Sequence, residues 1–240
     1  MATLVPDVPR EQPENFAADL AGMGNFFIDP AGAAKRLFSK WFWIGPVLLY
    51  SIVSITAGYV LMPMVRHVLE ISPVPPNLSP EQYQRNIEIG MLIQRVLIFC
   101  APITTAALFA LSAVILLASS AILSIRTRFL WLFNFVSGCA LIQLLAPIAS
   151  VVILKAKGDV STMAELRPPL GLDIFLAEGT NKYVMALLGY FSVFEMWWIV
   201  MAVLTFSTAF RVSKGKAFAA ILPLILLSII FRLVGAVFQR

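Results

Sequence analysis

Histidine and cysteine are scarce: the 240 residues hold one histidine, His67, and two cysteines, Cys100 and Cys139. One histidine builds no histidine cluster. His67 and Glu70, three residues apart, supply two ligands where a structural metal site takes four. No C-x-x-C, H-E-x-x-H or P-loop pattern occurs, and Ser137-Gly138 lacks the flanking residues of a G-x-S-x-G elbow. The sequence is therefore expected to carry no catalytic centre, no metal and no cofactor, and His67 reads as a solvated edge residue. With Ser124 as a hairpin pivot, Cys100 lies 24 residues back and Cys139 15 residues on. That mismatch is about 13 Å of helix, too far for a disulfide. Both cysteines read as small buried hydrophobes.

Charge is scarce too. Charged residues make up 13% and hydrophobic residues 60%, against about 25% charged in soluble domains. The net charge of +5 does not imply nucleic acid, because the basic residues sit at the ends of apolar runs. The first forty residues contain no apolar core of the signal-peptide kind.

Long apolar runs are what the sequence does have. Five are long enough to cross a hydrocarbon core about 30 Å thick, over residues 41–65, 91–123, 129–154, 183–210 and 216–238. The expected fold is an all-α polytopic bundle of five transmembrane helices with a short N-terminal interfacial helix. Residues 1–25 read as a flexible cytosolic tail with Pro6, Pro9 and Pro13, and 26–240 as the membrane domain. Asp29-Pro30 reads as a helix start, a carboxylate cap followed by proline at the first helical position. Phe27, Leu37 and Phe38 beside Lys35, Arg36 and Lys40 suggest a helix on the membrane surface. Ser79-Pro80-Glu81-Gln82 reads as a capping box opening a further helix outside the membrane. Pro102 predicts a kink. Leu170 to Leu176 is too short to span and reads as an interfacial dip.

Two charges interrupt the last two runs. About the turn at Ser213, Glu195 precedes by 18 residues and Arg232 follows by 19, so an antiparallel hairpin places them at one depth. A lone charge at mid-bilayer costs at least about 2.5–3.5 kcal/mol. The expectation is that they face each other, with Ser192 and Ser228 one turn away on the same helix faces. A structural ion pair, an ion-coupling site in a transporter, and two charges that do not meet, with Arg232 snorkelling outward, are the three readings of that pair. Asn134 and Gln143 are further polar groups inside the membrane. Trp197 and Trp198 lie mid-helix and read as packing residues. Ala106, Ala110, Ser137 and Gly138 suit close helix contact.

Lys35, Arg36, Lys40, Arg126, Arg128, Arg211, Lys214 and Lys216 flank one set of helix ends, with Asp29 the nearby acid. The opposite loops mix Lys and Arg with seven acids. The positive-inside rule then predicts a cytosolic N-terminus and an outer C-terminus.

Several stretches in order resemble the Yip-one (Ypt-interacting protein) domain family, particularly its bacterial members. They are Phe26-Phe27-Ile28-Asp29-Pro30, then Trp43-Ile44-Gly45-Pro46 entering the first crossing, then Tyr190-Phe191-Ser192-Val193-Phe194-Glu195-Met196-Trp197, then Phe210 to Ala217. The resemblance covers Phe26 to Phe238. Trp43-Ile44 stands where the family carries the acidic start of a D-L-x-G-P motif. The resemblance implies a cytosolic N-terminus, five transmembrane helices and no catalytic centre, and the short tail implies a bacterial inner-membrane protein. Its family-motif residues here are Asp29, Pro30, Gly45, Pro46, Phe194 and Trp197. The reading that follows is a non-enzymatic membrane protein organising membrane components or partner proteins, in contact with lipid and open to self-association. The alternative is a small permease or channel component with a polar path at Glu195 and Arg232. No small-molecule substrate is indicated.

Overall fold

The computed structural model describes residues 16–162, 165–166, 168–176 and 180–237. Every regular element among them is helical. In order they are α1 (Phe16–Gly22), α2 (Asn25–Ile28), α3 (Pro30–Arg36), α4 (Ile44–Ile71), α5 (Pro80–Phe99), α6 (Ala101–Ile122), α7 (Phe129–Gln143), α8 (Leu145–Lys157), a 3-10 turn (Leu172–Phe175), α9 (Lys182–Tyr190), α10 (Val193–Phe210) and α11 (Lys214–Val237). Five helical runs are long and apolar enough to cross a membrane: Ile44–Ile71, Ala101–Ile122, Phe129–Lys157, Val193–Phe210 and Lys214–Val237. The chain is an integral membrane protein.

Local chemistry explains most boundaries. Asp29 accepts from the Ala31 N–H at 3.1 Å and Pro30 opens α3, as the sequence predicts. Ser79 and Gln82 close a reciprocal capping box on α5, at 3.2 and 3.0 Å. The first crossing runs on to Ile71 and not to residue 65, and three others are shortened or broken. The second starts at Ala101 and not at residue 91, because α5 stops before Pro102, whose missing N–H leaves the Ile98 carbonyl without its helical donor. The third breaks at Leu144, since Pro147 cannot donate to the Gln143 carbonyl. The run expected over 183–210 is two helices, α9 and α10, separated by Phe191 and Ser192.

The chain forms two compact units. The first takes the described residues of Met1–Val47 with Leu108–Ile142 and Trp197–Ser228. Its core gathers Phe26, Leu37, Phe42, Leu132, Phe135 and Phe206, all nearly or fully buried. The N-terminal helical segment is present, and its apolar side faces protein. The Phe26 ring stacks on Phe42 at 5.2 Å and lies so close to Gly138 that any Cβ there would run into it. The expected tail boundary moves: residues 1–15 lie outside the described residues, but α1 is helical, and its buried Asp19 accepts from the Ser39 hydroxyl at 2.5 Å and meets Arg36 at 3.6 Å.

The second unit takes Leu48–Ala107, Gln143–Met196 and the described part of Ile229–Arg240. Met62 on α4 packs with Ile87, Met91 and Ile98 on α5, a face spaced at i, i+4, i+11. The Tyr83 hydroxyl donates to the Leu69 carbonyl at 2.9 Å. Val68, Leu154 and Val160 form a second small cluster. The 3-10 turn packs on α9: Gly171 lies against the Leu188 and Gly189 carbonyls, where a side chain would not fit. Outside the membrane-spanning segments, Lys157 and Ser161 bind the Glu165 carboxylate and hold it below the usual carboxylate range.

Candidate functional site in the membrane

The polar site of the second unit is built on two broken helices. At the first break α9 ends in an inverse γ-turn at Phe191 (φ −79, ψ 58), with the Ser192 N–H donating to the Tyr190 carbonyl at 2.8 Å. Helix α10 then restarts. The Glu195 N–H donates to Ser192 Oγ at 3.1 Å, so Ser192 caps α10 and Glu195 stands at its third position. That is half of a capping box. The reciprocal bond is absent because the Glu195 carboxyl turns to another helix. Gln143, the last residue of α7, donates from Nε2 to Glu195 Oε1 at 3.3 Å. Pro147 is what frees this end of α7, so each partner lies at a helix interruption.

Glu195 is 7% exposed and Ser192 is buried with it. The positive end of the α10 dipole favours a negative group at this position. Tyr190, 1% exposed, places its ring beside the same carboxyl. Its hydroxyl is buried without a partner at hydrogen-bonding distance and angle. Tyr50 on α4 lies in the field of the same charge.

Arg232 does something other than expected. Among the described residues it forms no ion pair with Glu195. Its Nη1 donates to the Gly189 carbonyl at 2.9 Å and its guanidinium lies over the Tyr190 ring, 5.3 Å from the centroid. Gly189 is in the last turn of α9, where carbonyls lack helical donors. Arg232 therefore caps α9, a cation at the negative end of a helix dipole. Its charge is within electrostatic reach of Glu195, but in place of the direct pairing read from sequence its contacts are the Gly189 carbonyl and the Tyr190 ring. Arg232 is exposed while Glu195 is buried, which is why the two do not meet. Ser228 is half-buried one turn before Arg232 and belongs to the first unit. Replacing Arg232 with Leu is expected to lower stability by about 1–2 kcal/mol, less than a buried charge-assisted bond gives because the group is exposed. Lys at 232 should restore part of it. A detergent melting temperature equal to wild type in Arg232→Leu contradicts the cap.

Of the residues that carry the family resemblance, Asp29, Pro30, Gly45, Pro46 and Trp197 lie in the first unit and Phe194 in the second. The Trp197 indole N–H donates to the Phe27 carbonyl at 2.9 Å, and the two rings meet edge-on at 6.0 Å. Asp29 and Pro30 open α3. Gly45 leaves room for the Met23 sulfur, 2.9 Å from where a Cβ would stand, and Pro46 is buried beside it in sequence. Phe194 is half-buried on α10. Trp197 thus packs on Phe27, and Trp198 is buried.

Asn134 is the residue that sequence reasoning under-used. Fully buried on α7, it donates from Nδ2 to the Leu37 and Ser39 carbonyls at 2.9 and 2.6 Å and accepts from the Trp43 N–H at 3.1 Å. One side chain thus satisfies three backbone groups of the turn between α3 and α4. The other expected sites stay apart. His67 is exposed, and Glu70 pairs with Arg66 at 2.8 Å. Among the described residues, no group of three or more His, Cys, Asp or Glu could hold a metal ion. Cys139 is buried, Cys100 is half-buried, and both are free.

No protein family, no curated protein and no solved structure matches the chain.

Proposed function

We propose that the chain is a non-enzymatic membrane permease or channel component that passes a proton or another small cation by way of Glu195. The observation that supports this most is the Gln143–Glu195 hydrogen bond joining two interrupted membrane helices. A buried carboxyl in the first turn of a membrane-spanning helix is costly, and such groups commonly mark ion or proton pathways. Unwound backbone beside it, with helix ends aimed at the polar group, is the arrangement by which membrane proteins hold an ion near the bilayer midplane. A purely structural ion pair needs a cation on the carboxylate, and here the nearest one caps α9 instead.

The second reading, a Yip-type organiser of partner proteins, is favoured by the convergence of Phe26, Phe27, Asp29, Gly45 and Trp197 on one N-terminal seat. In both readings the eight-residue basic edge faces the cytosol and the protein resides in a bacterial inner membrane.

Water access separates the two. In a background lacking Cys100 and Cys139, single cysteines are placed from Phe191 to Ala202 and probed with a membrane-impermeant thiol reagent. Labelling of Ser192→Cys and Glu195→Cys with weaker labelling of the intervening lipid-facing positions is the expected result. No labelling at any position describes a dry bundle and transfers the assignment to the organiser.

A further inference from the structure

One edge of the first unit collects cations with few acids to answer them. Lys35 and Lys40 lie at and after the end of α3, Arg126 and Arg128 precede α7, and Arg211, Lys214 and Lys216 frame the start of α11. With Arg36 they make eight, and among the described residues only Arg36 has an acidic partner, Asp19. Asp29 is occupied capping α3.

Two of the unanswered cations are held on indole rings. Lys40 Nζ stands 5.0 Å from the Trp41 ring centroid, and the Arg128 guanidinium 4.9 Å from that of Trp131. Phe38 meets Trp131 edge-on at 5.1 Å. Stacking on a ring fixes where a cation sits while leaving its N–H donors free. Asn134 holds the Leu37, Ser39 and Trp43 backbone against α7. Both cation–indole pairs therefore ride on one stiff edge, where α4 and α7 begin and where a bilayer places its headgroups.

We propose that this rim is a binding site for the phosphate of an anionic phospholipid. Arg128 and Lys40 donate to the headgroup, while the exposed rings of Trp41 and Phe129 pack on the start of its acyl chains. The rings select a lipid over free phosphate, because inorganic phosphate offers them nothing to cover.

The test uses the purified full chain in neutral detergent, with phosphatidylglycerol, phosphatidylcholine or inorganic phosphate added, read by native mass spectrometry and by melting temperature. Phosphatidylglycerol is expected to stay bound and to raise the melting temperature more than either alternative. Losing both charge-assisted donors to the headgroup, K40Q/R128Q should weaken phosphatidylglycerol retention by about tenfold or more. The charge-matched control R211Q/K214Q should retain it within about twofold, because among the described residues no indole holds those cations. Equal retention of the two lipids overturns the proposal. So does equal loss in the two double variants, which describes diffuse charge instead of a site. A phosphate-induced shift as large as the lipid's also overturns it, in favour of a free-anion site. Should K40Q/R128Q fail to fold, the single variants K40Q and R128Q are measured against the same outcomes.

Discussion

Replacing Asn134 with Leu is expected to destabilise the protein by at least about 3 kcal/mol. Three backbone groups lose their partner at once, and each buried group left unsatisfied costs about 1–3 kcal/mol. Leucine has similar bulk, so the loss is one of hydrogen bonds and not of volume. Asn134 takes all three bonds from the single turn between α3 and α4, so the damage should be local first. Limited proteolysis at Lys35, Arg36 and Lys40 should quicken before the remaining helices melt. Asp at 134 should rescue little, because a carboxylate accepts from Trp43 but cannot donate to the two carbonyls. If Asn134→Leu melts with wild type and its N-terminal segment resists trypsin, the clamp has no energetic weight.

Glu195→Gln is expected to separate stability from transport. The amide keeps an acceptor for Gln143 and nearly the same shape. Arg232 keeps its direct contacts, the Gly189 carbonyl and the Tyr190 ring. The melting temperature should therefore change little, corresponding to less than about 1 kcal/mol. An amide cannot take up or release a proton in this range, so proton flux into proteoliposomes carrying a pH-sensitive dye should fall at least about tenfold. Glu195→Leu is the harsher variant: it strands the Gln143 amide, and should cost about 1–3 kcal/mol. Unchanged flux in Glu195→Gln, with wild-type flux clearly above empty vesicles, removes the carboxyl from the path. A melting temperature that falls as far as in Glu195→Leu restores the direct ion pair.

The number and order of the membrane helices were legible because length and apolar content decide them. Capping chemistry at Asp29-Pro30 and Ser79 to Gln82 gave two helix starts to the residue. Glu195 and Arg232 stood out by charge alone. Their partners did not, because hairpin counting assumes two unbroken helices and α9–α10 is broken. A signal for that break was present: Ser192-Val193-Phe194-Glu195 is a capping-box spacing inside an apolar run, and it marks a helix start. Pro147 likewise announces the fracture beside Gln143. The role of Asn134 was not legible, since its partners are backbone groups more than ninety residues away and leave no side-chain pattern.

That separation has a temporal side. Ribosomes add about 5–20 residues per second, so the 97 residues between Leu37 and Asn134 represent about 5–20 s of synthesis. For most of that interval Phe26, Leu37 and Phe42 have been made while the α7 surface that shelters them does not yet exist. The N-terminal segment must wait, attached to lipid or to a chaperone, and then be captured as the third crossing inserts. Its seat is consequently a checkpoint in biogenesis: a chain stalled before residue 134 should display an unseated, protease-sensitive α1–α3 segment that is seated in the full-length chain.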